Sequence, residues 1–74
     1  MLFKDSWTVT KVEGKTIQII GIPNLQEKDW LYTGENVYQI DSIDFSESLE
    51  GITTITLKQE PEDIMEKTVI TKFG

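Results

Sequence analysis

The chain has 74 residues, neither Cys nor His, and thirteen acids against seven Lys for a net charge of −6. So short a chain forms one small core that buries only about 60% of its unfolded surface. Its missing residue types exclude disulfides, a Cys/His zinc centre and a Ser-His-Asp arrangement.

The amino terminus, Met1-Leu2-Phe3-Lys4-Asp5, meets charge too soon for a secretory leader. No later segment approaches the ~20 apolar residues of a membrane span, so a soluble cytoplasmic protein is expected. Strand one is predicted from Phe3 to Val12. Phe3, Trp7 and Val9 share one face and Lys4, Ser6, Thr8 and Thr10 the other, which makes Trp7 a core residue. Glu13-Gly14 supplies a tight turn, because glycine accepts the positive φ of a two-residue hairpin. Strand two, Lys15 to Ile22, carries Ile17, Ile19, Ile20 and Ile22. Its adjacent pair Ile19-Ile20 breaks alternation and predicts burial on both faces or a bulge.

Pro23-Asn24 ends that strand. Leu25 to Tyr32 has no regular period and is expected as a single helical turn or an irregular loop crossing the barrel. Thr33-Gly34-Glu35-Asn36 is a turn. Strand three, Val37 to Phe45, shifts phase between Ile40 and Ile43, the mark of a bulge where a strand bends round a corner. Ser46 to Gly51 is a polar connection, and strand four, Ile52 to Leu57, alternates aliphatic residues with Thr. Glu60 to Lys67 begins with Pro61 and acids, which suits the first turn of a short helix or a loop. Thr68 to Phe73 is the closing strand.

Ten Ile, nine Thr and four Val, with no Ala, give a chain suited to pleated sheet rather than helix. The prediction is an all-β single domain over residues 1–74, a small five- to six-stranded β-barrel with at most one short helical turn. Closure of the sheet removes its exposed edges.

Phe3, Val9, Val12, Gly14, Ile17 and Gly21, then Val37 to Ile43, then Gly51-Ile-Thr-Thr-Ile-Thr-Leu57 with Asp63-Ile64 and Val69-Ile70 resemble the second domain of elongation factor Tu-type translational GTPases. The resemblance implies a β-barrel. In translation factors this domain helps contact ribosomal RNA or the aminoacyl end of tRNA, which implies docking on RNA or ribonucleoprotein. The chain departs from the family in having Glu66-Lys67 where an Arg-Gly type of pair precedes the closing strand. It also carries Lys28-Asp29-Trp30-Leu31-Tyr32 in place of a Gly-dependent turn, and no phosphate-binding loop of the GxxxxGK type.

No nucleophile–base pair, metal-ligand spacing or cofactor motif is present, so the sequence predicts a non-enzymatic protein without cofactor or metal. An acidic chain without Arg is poorly made for phosphate backbones, which disfavours direct nucleic-acid binding and favours a protein partner with a basic surface. The predicted partner-binding residues are Trp30 and Tyr32, in irregular chain, with the acids Asp44, Glu47 and Glu50 of one loop and Glu62 and Asp63 of another. A third possibility is acidic mimicry of nucleic acid by an inhibitor of phage or mobile-element origin, which requires carboxylates in a regular ridge.

Overall fold

A computed structural model describes residues 6–73. Six antiparallel strands form a closed barrel: β1 Ser6–Glu13, β2 Thr16–Ile20, β3 Trp30–Tyr32, β4 Val37–Asp44, β5 Ile52–Leu57 and β6 Val69–Phe73. Around the ring the order is β1, β2, β5, β4, β3, β6, and every strand is paired on both sides. The one helical element among the described residues is a short 3-10 turn, Ser48–Glu50, in the connection between β4 and β5. No helix of the described residues is long and apolar enough to cross a membrane. The expected strand start at Phe3 lies outside the described residues.

Alternation dictates which side chains enter the barrel. Ile17 and Ile19 on β2, Thr53, Ile55 and Leu57 on β5, Tyr38 and Ile40 on β4, Leu31 on β3, Ile70 on β6 and Val9 on β1 are buried. Leu25 from the β2–β3 connection and Ile64 from the β5–β6 connection complete this core, and Trp7, Val12 and Ile43 pack against it half-buried. Buried Thr53 satisfies its hydroxyl by donating to the Gly21 carbonyl at 2.7 Å.

Two register shifts bend the sheet into a ring. One falls at Thr10 on β1, the other at Asp41 on β4. Each inserts one residue opposite its partner strand and increases the local twist. Strict alternation from Val9 would turn Val12 outward; the extra residue at Thr10 brings it back against the core opposite Ile17. On β4 the same device carries the inward phase from Ile40 to Ile43, as the phase shift in the sequence predicts.

The Ile19-Ile20 irregularity resolves differently. Ile19 is fully buried, whereas Ile20 and Ile22 point to solvent, so β2 is buried on one face and the bulge lies on its neighbour β1. The β1–β2 turn is Gly14-Lys15, one residue later than predicted, with Glu13 opposite Thr16 and Gly14 at φ +60°. Trp30–Tyr32 is a paired strand rather than a helical turn or loop, because β4 and β6 each bond to it. Three residues are too few for a period to show in sequence. Glu60 to Lys67 is loop and turn, not helix. Tertiary bonds hold it instead, among them Lys67 N–H to the Val9 carbonyl at 2.7 Å.

Burial sets the expected energetics. Ile55→Ala should cost about 2–5 kcal/mol through lost transfer energy and the cavity left behind. Ile20→Ala, on the outer face of the same sheet, should stay within about 0.5 kcal/mol. Urea unfolding of both variants checks this, and equal losses would mean that the inward face of β2 is misassigned.

Candidate functional site

Antiparallel strands joined in sequence place their connections at alternate ends of the barrel. The β1–β2, β3–β4 and β5–β6 connections share one end, and the β2–β3 and β4–β5 connections share the other. Of the predicted partner-binding residues, Glu62 and Asp63 therefore lie at the first end and Asp44, Glu47 and Glu50 at the second. The length of β4, about 23 Å at ~3.3 Å per residue, stands between them. One contiguous surface cannot use both groups.

Trp30 and Tyr32 lie on the outer face of β3 with their neighbours supplied by the flanking strands. Trp30 stands opposite Gln39 on β4 and Phe73 on β6; Tyr32 stands opposite Val37 and Thr71. Trp30 is 42% exposed, Tyr32 41%, Phe73 53% and Val37 37%. The Tyr32 and Phe73 rings tilt at 45° with centroids 5.9 Å apart, a favourable aromatic geometry. The Tyr32 hydroxyl donates to the Gly34 carbonyl at 3.0 Å, which fixes the ring over the β3–β4 turn. Single exposed apolar residues are ordinary; here three rings are gathered on one sheet face.

The borders of this face carry different charge. On the Gln39 side, the Gln39 amide donates to the Lys28 carbonyl and the Lys58 N–H donates to the Gln39 carbonyl, each at 3.0 Å. The backbone of Lys28 and Lys58 thus meets Gln39 there, while Lys72 approaches Asp29 at 4.0 Å. On the Val37 side, Asn36, Val37, Tyr38, Gln59, Glu60 and Glu62 line a groove of about 330 Å³. Ion pairs among the described residues are Lys11–Glu13 and Lys72–Asp29, so neither Glu60 nor Glu62 forms one in that set.

Asp63 lies beside this groove but is occupied. The buried Tyr38 hydroxyl donates to its Oδ1 at 2.6 Å, and the Thr33 hydroxyl donates to its Oδ2. Tyr38 in turn accepts the Glu62 N–H at 3.3 Å, and the Asn36 N–H donates to the Thr33 hydroxyl at 3.1 Å. These bonds tie the β5–β6 loop to the β3–β4 turn and hold the groove in shape. Burial alone would raise the Asp63 carboxyl, but the hydroxyls of Thr33 and Tyr38 and the Asn36 side chain outweigh it and hold it below the usual carboxylate range. Burial, followed by the hydrogen bond to Asp63, pushes the Tyr38 hydroxyl above its ordinary value.

At the other end Asp44 caps its own turn, accepting the Ser46 N–H at 2.8 Å, and that bond lowers its carboxyl. Exposed Ile20, Ile22, Phe45 and Leu49 stand in or beside the connections there. Sequence patterning missed Phe73, Val37 and Glu60 as members of the aromatic face and its groove. The period of two through Val69, Ile70, Thr71 and Phe73, with Ile70 inward, was the available signal for Phe73.

Comparison with family models, with curated proteins and with solved structures found no match to this chain.

Two pH limbs follow from the Tyr38–Asp63 pair. Asp63, depressed in the folded state, contributes stability that is fully present above its unfolded value of about 3.9 and is lost as pH falls through its folded value. Tyr38, raised in the folded state, contributes stability fully present below about 10 and lost as pH rises through its folded value. Denaturant unfolding across pH should show a shallower acid limb in Asp63→Asn. Tyr38→Phe should lose about 1–3 kcal/mol at neutral pH, because Asp63 is left short of a donor, and should flatten the alkaline limb. An acid limb identical in wild type and Asp63→Asn would overturn the assignment.

Proposed function

We propose that this chain is a non-enzymatic, acidic β-barrel module of the cytoplasm that binds another protein through the outer face of β3 and β6. The observation that carries this is the exposed ring cluster of Trp30, Tyr32 and Phe73, with Val37 beside it. Aromatic side chains supply large contact area at low conformational cost and dominate interface energetics. The net charge of −6 and the uncompensated Glu60 and Glu62 favour a partner with a basic surface, whose encounter the negative field would speed. Of the seven residues predicted to bind a partner, Trp30, Tyr32 and Glu62 belong to this face or its groove. Asp63 supports the groove from within, and Asp44, Glu47 and Glu50 are assigned to the far end.

A second function, docking on RNA or ribonucleoprotein as the resemblance to the translation-factor barrel implies, is favoured by one observation. The backbone of Lys28 and of Lys58 bonds to Gln39 beside the aromatic face. Exposed rings beside lysines suit stacked bases and phosphates. The net charge and the acids on the opposite border weigh against it. Acidic mimicry has less support, since the carboxylates divide between two ends of the barrel.

Affinity capture from lysate of the source organism, with stepwise salt elution and parallel nuclease treatment, separates these functions. A protein retained by wild type, released by salt, indifferent to nuclease and lost with Trp30→Ala/Phe73→Ser is the expected result. Loss of the captured material on nuclease treatment points to ribonucleoprotein. Capture unchanged by the double variant would remove β3 and β6 as the contact face.

A further inference from the structure

We infer that the outer face of β3 receives an arginine side chain of a partner polypeptide, its guanidinium held between Tyr32 and the groove of Glu60 and Glu62; this rests on the protein-binding function proposed above. All three residues of β3 are bonded to β4 on one side and to β6 on the other, so β3 offers no edge for backbone addition by a peptide. A partner on this face must be recognised through side chains.

Tyr32 and Val37 face each other across β3 and β4, and Val37 also lines the groove, so the aromatic surface runs into the groove without a break. A guanidinium is planar, weakly hydrated and able to stack on an aromatic ring while donating to carboxylates, which an ammonium does less well. Glu60 and Glu62 are the acceptors, having no cationic partner among the described residues. Asp63 is not one, because Tyr38 and Thr33 already donate to its two oxygens.

Glu60 and Glu62 lie in the groove that Val37 lines, whereas Gln39 is bonded by the backbone of Lys28 and Lys58. The arginine therefore belongs on the Val37 side, and an apolar neighbour belongs on Trp30 and Phe73. Trp30 and Tyr32 are two residues apart on one strand, a spacing of about 7 Å. An extended segment matches it with an apolar residue two positions from the arginine.

The probe is an acetylated heptapeptide with a Leu-Gly-Arg core, titrated into labelled protein and followed by amide chemical shifts. Its counterpart carries citrulline, a neutral isostere, at the arginine. The expected result is saturable shifts centred on Tyr32, Val37, Gln59 and Glu62, with the citrulline peptide weaker by about tenfold, the scale of one charge-assisted hydrogen bond. Glu60→Gln/Glu62→Gln should weaken binding about fivefold or more, since charged acceptors bond roughly twice as strongly as neutral ones. Glu47→Gln/Glu50→Gln, with the same change of net charge at the other end, should leave binding within about twofold, because exposed charges that distant are screened. Equal binding of the arginine and citrulline peptides, equal weakening by the two double variants, or no saturable shift would each overturn the inference. A captured protein lost with Trp30→Ala/Phe73→Ser would still uphold the module in that event, so the two failures are distinguishable.

Discussion

Closure of a six-stranded ring is the constraint on which everything else in this protein depends. An open sheet of these strands would expose unpaired backbone on β1 and β6; pairing Ser6–Thr8 with Val69–Thr71 joins those two edges and closes the ring. Antiparallel strands this short close only if the sheet coils tightly, and the extra residues at Thr10 and Asp41 supply the coiling. The enclosed interior is narrow. It is filled by Ile, Leu and Val with one Tyr and one Thr, and Trp30, Tyr32 and Phe73 stand on the outside.

The ends of such a barrel need closing as well. Leu25 and Ile64, each carried by a connection rather than a strand, add apolar surface to the core. The β5–β6 connection is long and polar, and it has no helix to give it internal order. Asp63 provides the order from outside, by accepting the hydroxyls of Tyr38 and Thr33. A half-buried carboxylate loses part of its hydration, and donors on both oxygens offset that loss. The groove beside the aromatic face therefore takes its shape from a structural carboxylate, while Glu60 and Glu62 remain available to solvent.

These features divide the acidic residues by role. Asp44 and Asp63 are bound by the chain itself, one to a turn and one to a loop anchor. Glu60 and Glu62 are not, and they adjoin the exposed rings through Val37. Two unpaired carboxylates thus share a groove with Val37 beside the aromatic surface, and the chain as a whole carries a net charge of −6.

The sequence by itself determined the all-β class, a small barrel of five to six strands, the strand Ile52–Leu57, and the bulge between Ile40 and Ile43. These are local properties: β-branched content, a period of two, and a phase error that only an inserted residue explains. Tertiary structure alone decided that Trp30–Tyr32 is a strand, since its order comes from partners distant in sequence on both sides. It likewise decided that Ile20 faces solvent, that the compensating bulge sits on β1, and that Asp63 is bound within the fold. The separation of Asp44, Glu47 and Glu50 from Glu62 and Asp63 has the same origin. In sequence the two groups look alike, and only the alternation of connections between the ends of a closed antiparallel ring sets them apart.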